Sequence, residues 1–256
     1  VGARAAGTIA LAGGLLGQGM DAAATPAVVG DGPYGPLQAP DSNGVALPKG
    51  FTSRVIARSG VPLGPSLTPF HIFPDGMGTF ETGDGGFVLV SNSEARSVRG
   101  TIFDGGAAAI RFDARFKVTD YYRILSGTSL NCAGGVTPWN TWLSCEETET
   151  GKVWECDPFG DEAAVVRPAL GVFKHEAAAV DPVGKHVYLT EDLGDGLFYR
   201  FTPDSYPDLS RGRLDAAVLA GDGQVDWLPV PDPQFLAGVP TRMQVPGATK
   251  FKRGEG

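Results

Sequence analysis

The sequence predicts an all-β protein, and three observations carry this prediction. The 256 residues include 37 glycines and 20 prolines but only 20% charged residues, a composition typical of short strands joined by tight turns. Long helical periodicities are absent beyond the N-terminal segment. A strand-and-turn pattern repeats at a period of about fifty residues, which is the spacing of β-propeller blades. We therefore predict antiparallel blades arranged around a central channel.

Three segments carry the repeat, and each is an apolar strand followed by acidic residues. They are residues 86–94, 140–147 and 185–192. The second and third segments align without a gap, so that Glu146 matches Glu191 and Gly151 matches Gly196. Equivalent strand ends of a propeller point to the same face, so the acidic side chains are predicted to converge near the channel.

The N-terminal part of the chain is predicted to lie outside the propeller. Residues 1–24 have the pattern of an export-signal remnant, because Arg4 precedes an apolar run of small residues and residues 22–24 resemble a cleavage region. That run is too short to span a bilayer, so we expect no stable membrane insertion. Residues 25–50 are rich in Pro, Gly and Asp and predict an irregular arm. Residues 51–256 form the predicted propeller domain.

The charge of the chain excludes one class of partner. The net charge is −8, and no cluster of Lys or Arg is present in the sequence. Binding of nucleic acid needs a basic surface for the phosphate backbone, so we expect no nucleic-acid partner. An acidic protein can still bind a small phosphorylated molecule where bound cations reverse the local field.

The densest chemistry lies between Asn131 and Thr148. Cys132 sits among small residues, and the strand that follows ends in Glu146 and Glu147. Sulfur ligands favour zinc, copper or iron, whereas carboxylates favour calcium, magnesium, manganese or ferric iron. The segment therefore predicts either a mixed metal cluster or two unrelated features.

The three cysteines allow two interpretations. Cys145 and Cys156 flank a glycine-containing turn and are predicted to form a disulfide in an exported protein, which leaves Cys132 as a free thiol or a ligand. The alternative is three buried, unreactive cysteines.

Several motifs, taken together and in order, resemble those of the PhoX-type alkaline phosphatases from about Phe51 to the last residue. The motifs are residues 92–94, 131–135, 141–147, 174–176, 191–192 and 253–255. The resemblance implies a six-bladed propeller that is exported to the periplasm or the cell surface. It also implies an enzyme that hydrolyses phosphomonoesters at a cluster of ferric iron (Fe3+) and calcium (Ca2+) ions.

The same resemblance implies roles for individual residues. Cys132 matches the thiolate that bridges two iron ions, and Arg253 matches the group that binds the phosphate of the substrate. Cys132, Glu147 and Arg253 form the implied catalytic set. The implied acidic metal ligands are Glu94, Glu147, Glu176 and Glu255, with Asp192 on calcium. Glu146 is the alternative to Glu147, because one sequence does not fix the register.

The chain departs from the family pattern at two points. Family members commonly carry Asn-His-Glu where this chain has Asn92, Ser93 and Glu94, and the family fold continues beyond the position of Glu255. We therefore expect an incomplete propeller, the N-terminal portion of a larger enzyme, and we expect it to be monomeric. Two other function classes stay open. One is a different calcium-dependent propeller hydrolase, such as a lactonase or a phytase-like enzyme, which needs no thiolate. The other is a non-catalytic propeller scaffold.

Overall fold

The computed structural model describes residue 30 and residues 32–255, and the chain divides into two compact units, Val1–Ile56 and Ala57–Gly256. The predicted export-signal segment lies outside the described residues. The described part of the first unit consists of turns and one isolated bridge between Leu37 and Pro48. No helix among the described residues is long and apolar enough to cross a membrane.

The second unit contains three antiparallel sheets. Sheet 1 consists of β1 (Pro74–Glu81), β2 (Phe87–Ser93), β3 (Gly105–Phe112) and β4 (Val118–Thr128). Sheet 2 consists of β5 (Asn131–Val136), β6 (Trp142–Glu146), β7 (Val153–Cys156) and β8 (Val165–Val166). Sheet 3 consists of β9 (His175–Asp181), β10 (His186–Glu191), β11 (Phe198–Ser205), β12 (Asp208–Leu219) and β13 (Val225–Pro229). Within each sheet, strands that follow one another in sequence are neighbours.

Only two short 3-10 turns, Pro168–Leu170 and Thr241–Met243, accompany these strands, and the described residues contain no α-helix. The all-β prediction is therefore confirmed, and each sheet has the strand order of a propeller blade. Closure into a six-bladed ring stays an expectation.

The strands form because apolar side chains alternate along them. In β10, Val187, Leu189 and Glu191 are buried while the residues between them are half-buried. In β11, Tyr199 and Phe201 alternate with half-buried neighbours in the same way. Because successive side chains of a strand point to opposite faces of its sheet, each strand contributes side chains to the packing on both faces.

Successive sheets pack face to face and create two apolar cores. One core joins sheets 1 and 2 and contains Val88, Val90 and Trp142. The other joins sheets 2 and 3 and contains Leu143 and Leu189. Sheet 2 thus contributes one face to each core.

The predicted disulfide is wrong, because all three cysteines are free and buried. The register pairs Cys156 with Trp142 and Cys145 with Val153. Trp142 and Cys145 are an odd number of positions apart on β6, so their side chains point to opposite faces of the sheet. Accordingly, Cys145 belongs to the core between sheets 2 and 3 and Cys156 to the core between sheets 1 and 2.

The first strands of the three sheets, β1, β5 and β9, lie next to one another. Glycines make this close approach possible. A Cβ atom on Gly76 of β1 would lie 2.7 Å from Ala133 Cα on β5, and a Cβ atom on Gly135 of β5 would lie 1.8 Å from the carbonyl oxygen of Ala178 on β9. Backbones that come this close leave no room for a side chain.

Each first strand contains a β-bulge near its start. The register shifts between Pro74 and Met77 in β1, between Asn131 and Gly134 in β5, and between His175 and Ala178 in β9, in each case with one extra residue on the first strand. The residues that begin these bulges are Asp75, Cys132 and Glu176. The same registers pair Asn131 with Glu146 and His175 with Glu191, in agreement with the alignment of Glu146 and Glu191 made from sequence. Bulges change the direction of a side chain, and here they occur at the same place in three sheets.

Candidate metal centre

Side chains from all three sheets converge at the bulged ends of the first strands. Glu94, Cys132 and Glu147 each offer one ligand atom, and these atoms lie within 4.8 Å of one another. Glu147, Glu176 and Asp192 form a second group with the same spacing. Glu147 belongs to both groups, so the two form one continuous cluster that could hold metal ions.

The ligand residues of this cluster come from two kinds of position in the repeated sheets. Cys132 and Glu176 begin bulges of the first strands, whereas Glu94, Glu147 and Asp192 each follow the last residue of a second strand. The blade geometry therefore places residues that are far apart in sequence at neighbouring positions around one point.

The thiol of Cys132 is buried within the cluster. Its Sγ atom donates a hydrogen bond to Glu176 Oε1 at 3.3 Å, and the residue is 9% exposed. Burial raises the pKa of this thiol, and the negative charge of Glu176 raises it further. Without a cation the sulfur is therefore protonated, and a positive charge at the site is what would favour the thiolate.

The carboxylates are crowded, and their pKa values reflect it. Burial raises the pKa of Glu176 to about 7, the charges of Glu147 and Glu255 add to this effect, and the hydrogen bond with Cys132 opposes it. Burial, followed by the charges of Asp75 and Glu147, also raises the pKa of Glu94. Acidic groups that disfavour one another's ionisation are the environment that a bound cation relieves.

Lys174 supplies a positive charge inside the cluster. Its Nζ atom lies 2.7 Å from Glu147 Oε1 and 3.5 Å from Asp192 Oδ2, and it donates to the backbone carbonyl of Asp192 at 3.2 Å. Burial alone would lower the pKa of Lys174, but the hydrogen bonds and charges of Glu147 and Asp192 together outweigh burial and raise it. Sequence reasoning used Lys174 only as part of a motif and assigned it no role.

Arg253 and Glu255 lie at the rim of the cluster. Arg253 Nε is 2.8 Å from Asp192 Oδ1, and 59% of the arginine side chain is exposed. Its backbone adopts φ 57° and its N–H donates to the carbonyl of Leu193, which fixes the approach of this segment. Glu255 is exposed, and its charge contributes to the raised pKa of Glu176.

Glu146 lies outside the cluster and stabilises a turn. Its Oε1 atom accepts the backbone N–H of Ser129 at 3.1 Å, and its Oε2 atom accepts Trp154 Nε1 at 3.0 Å and the N–H of Lys152 at 3.3 Å. Of the two adjacent glutamates, Glu147 is the one whose carboxylate faces the other acidic groups.

Sequence reasoning missed Asp75. This residue begins the bulge of β1, as Cys132 and Glu176 begin those of β5 and β9. Its charge raises the pKa values of Glu94, Cys132 and Glu176, which places it beside the cluster. The repeat in the sequence is clearest on the second strands, whereas Asp75 becomes evident only when the first strands are aligned with one another.

His175 precedes Glu176 but points into the core. It is fully buried, its Nε2 atom lies 3.0 Å from the carbonyl of Gly171, and its ring stacks on Phe173 at 3.7 Å. A carbonyl only accepts, so Nε2 carries the proton. Burial lowers the pKa of His175 to about 4, so the ring is neutral and structural.

The cluster combines one sulfur ligand with several carboxylates. This donor set fits a centre with both a thiolate-binding ion, such as iron, and oxygen-binding ions, such as calcium. It does not fit a zinc site built from paired cysteines, because Cys132 is the only sulfur within either group of the described residues.

Comparisons with known proteins agree with these observations. The family model described as "Alkaline phosphatase PhoX" matches residues 101–161 and 149–256. Among solved structures, the chain is similar to Pseudomonas fluorescens PhoX in complex with vanadate, a transition state analogue, with a TM-score of 0.69 and 21% sequence identity. That match covers 82% of this chain and 63% of the Pseudomonas chain, so this chain spans less than two thirds of that protein. No curated protein matches the chain. The family model covers more than half of the sequence, and the chain belongs to the PhoX alkaline phosphatase family.

Proposed function

We propose that this chain is a metal-dependent phosphomonoesterase, an alkaline phosphatase that releases inorganic phosphate from small organic phosphate esters. The observation that carries the proposal is the convergence of Cys132, Glu94, Glu147, Glu176 and Asp192 from three sheets in a chain of the PhoX family. The Pseudomonas relative is in complex with vanadate, a transition state analogue, which supports phosphoryl chemistry for a protein of this fold.

Ferric iron and calcium are the proposed ions. We assign iron to the group that contains the thiol, with Glu94 and Glu147, and calcium to the all-oxygen group that contains Asp192. When bound, these ions supply positive charge that polarises the phosphoryl oxygens and neutralises charge developing in the transition state. Glu176 and Glu255 complete the proposed acidic ligands.

The side chains of the protein have separate tasks in this proposal. Glu176 Oε1 accepts the hydrogen bond of the Cys132 thiol, so it is the base nearest to the proton that the thiol would have to lose to bind a metal ion. Arg253 is tied to Asp192 through Nε, which leaves the exposed end of the guanidinium to hold phosphate with two parallel hydrogen bonds. Lys174 forms ion pairs with both Glu147 and Asp192, and its positive charge limits the repulsion between these two carboxylates.

The location of Cys132 favours this proposal over its alternatives. A calcium lactonase or a phytase-like enzyme uses oxygen and nitrogen ligands and has no need of a thiol among its carboxylates. A non-catalytic scaffold has no need of carboxyl groups such as Glu94 and Glu176, whose pKa values are raised by burial and by neighbouring acidic groups. Membership of a fold family alone does not settle activity, so the test measures it directly.

The test combines metal content with activity. Purified protein is loaded with iron and calcium and analysed for both elements, and the release of phosphate from p-nitrophenyl phosphate is measured. We expect both metals and phosphate release. A metal-loaded protein that hydrolyses a lactone or phytate instead would support the other hydrolase class. A metal-loaded protein without any hydrolytic activity would support the scaffold.

Two adjacent glutamates provide a matched pair of variants. Glu147→Gln removes a carboxylate shared by both ligand groups, so we expect it to lose bound metal and at least about tenfold in activity. Glu146→Gln keeps the metal content, because that carboxylate holds a turn outside the cluster. Equal metal content in the two variants would contradict the assignment of Glu147.

We also propose that the protein acts outside the cytoplasm and as a monomer. The proposal rests on its family and on the export-signal pattern of residues 1–24. Cell fractionation and size-exclusion chromatography test these two points. Recovery in the cytoplasm, or elution at twice the mass of the chain, would oppose them.

A further inference from the structure

Asn92 links the last residues of β2 to the strand that carries Cys132. The residue is fully buried and lies two positions before Glu94. Its Nδ2 atom donates to the carbonyl oxygens of Cys132 and Ala133, at 2.8 Å and 2.7 Å. Its Oδ1 atom accepts from Trp142 Nε1 at 3.0 Å and from Ser144 Oγ at 2.8 Å. The side chain thus makes four hydrogen bonds, all of them to sheet 2.

The chemistry of the partners fixes the orientation of this amide. Carbonyl oxygens only accept and the indole nitrogen of Trp142 only donates, so Nδ2 must face β5 and Oδ1 must face Trp142. Both donors and both acceptor sites of Asn92 are therefore used, and a rotated amide would lose them.

The two carbonyls that Asn92 binds belong to the bulge of β5. The register between β5 and β6 shifts between Asn131 and Gly134, so Cys132 and Ala133 lie where the ladder of backbone hydrogen bonds is interrupted. A bulge leaves backbone groups without their strand partner, and buried carbonyls need another donor. Asn92 supplies it from the neighbouring sheet.

The residue of sheet 3 that is equivalent to Asn92 binds a bulge in its own sheet and not in the next one. Thr190 occupies the position in β10 that Asn92 occupies in β2, because Ser93 and Glu191 pair with equivalent residues. Thr190 Oγ1 accepts the N–H of Ala177, which lies in the bulge of its own sheet. Asn92 instead stabilises the bulge of the next sheet.

The backbone of β5 is also confined from the side of β1. A Cβ atom on Gly76 would lie 2.9 Å from the carbonyl oxygen of Cys132 and 2.7 Å from Ala133 Cα. The bulge is therefore held between the Asn92 amide and the backbone of β1, and Cys132 Sγ is directed toward Glu176 Oε1.

We propose that Asn92 is a positioning residue of the metal centre, which sets the direction of the Cys132 sulfur by binding the two carbonyls of the β5 bulge. The proposal rests on the proposed function for its consequence in catalysis. The direction of the thiol, however, can be measured without phosphatase activity.

The first measurement uses metal-free protein. Asn92→Asp keeps the size of the side chain but places a carboxylate against two carbonyl oxygens, which repels the bulge. The rate of alkylation of Cys132 by iodoacetamide, followed by peptide mass spectrometry, should rise about tenfold, because the thiol leaves its buried contact with Glu176. Ser93→Ala is the matched control, since it removes one side-chain hydrogen bond from the same strand, to the carbonyl of Ile72.

The second measurement uses Co(II) as a probe ion. The folded wild-type chain should show a sulfur-to-cobalt charge-transfer band that Cys132→Ser abolishes, and Asn92→Asp should weaken the affinity that produces this band about tenfold or more. Of the four hydrogen bonds of Asn92, Trp142→Phe removes the one from the indole to Oδ1 and keeps both carbonyl contacts. The variant also loses buried ring volume, so it should lower stability yet keep the band. If Asn92→Asp does not fold, Asn92→Ala removes the same two carbonyl contacts without adding charge.

The outcomes distinguish a failure of the metal centre from a failure of the positioning role of Asn92. A wild-type chain without a band counts against the metal centre of the proposed function, and the alkylation rate still tests Asn92. A folded Asn92 variant whose alkylation rate equals that of Ser93→Ala overturns the positioning role. A Trp142→Phe variant that loses the band as completely as the Asn92 variants also overturns it, because general loosening of the sheet would then explain the loss.

Discussion

Replacement of Gly135 by alanine tests how tightly the first strands pack. A Cβ atom at this position would lie 1.8 Å from the carbonyl oxygen of Ala178 and 2.9 Å from its carbonyl carbon. Real Cβ atoms essentially never approach another atom closer than 3.0 Å, so β5 and β9 must separate by more than 1 Å. The obstacle is backbone, which cannot rotate away as a flexible side chain would.

The size of the effect follows from this geometry. Extra volume in a packed core typically costs about 1–3 kcal/mol, and a rigid obstacle places Gly135→Ala near the upper end, at about 3 kcal/mol. Gly135 is paired with Leu143, which belongs to the core between sheets 2 and 3, so the separation also loosens apolar contacts there. The assay is urea unfolding followed by tryptophan fluorescence, which reports on Trp142 and Trp154 of sheet 2.

Gly221→Ala is the control, because a Cβ atom there would meet no atom within 4 Å. Its free energy of unfolding should stay within about 0.5 kcal/mol of the wild-type value. If the two alanine variants unfold at the same urea concentration, the first strands are not packed as closely as described.

Two further predictions concern pH and thiols. His71 is buried between Tyr121 and Ser91, and burial, followed by the charge of Arg123, lowers its pKa from 6.5 to about 4. The folded state therefore favours the neutral ring of His71. The contribution of this preference to the free energy of unfolding is fully present above about pH 6.5 and is lost as the pH falls toward 4. The stability advantage of wild type over His71→Gln should shrink by about 3 kcal/mol across that range in denaturant titrations, and a constant difference would contradict it. Thiol titration of denatured, non-reduced protein should find all three cysteines free. A single free thiol would instead support a disulfide between Cys145 and Cys156.

The repeated strand ends could be predicted from the sequence because their pattern is local. An apolar run followed by an acidic residue is visible at Glu94, Glu147 and Asp192 without knowledge of the fold, and blade geometry then brings such residues together. Sequence could not separate Glu146 from Glu147, because adjacent side chains point in opposite directions and the register depends on a bulge in the partner strand.

Two other features depend on register alone. The spacing of Cys145 and Cys156 suits two neighbouring strands, yet the pairing of β6 with β7 puts the two sulfur atoms in different cores. The place of Asp75 depends on the bulge of β1, and only an alignment of the first strands with one another would have indicated it. Its neighbour Gly76 is required by the close approach of β5, but a single glycine in a glycine-rich chain indicates little before the structure is known.

The repeated bulge has a consequence for how chemistry can change in such a fold. Asp75, Cys132 and Glu176 occupy one and the same structural position in three sheets, and they differ only in the functional group that they bring to it. The three sheets therefore offer the same backbone position, and a single substitution there exchanges one ligand group for another. In the proposed metal centre, an exchange of Cys132 for aspartate would leave oxygen ligands alone and would remove the one donor that favours soft ions such as zinc and copper.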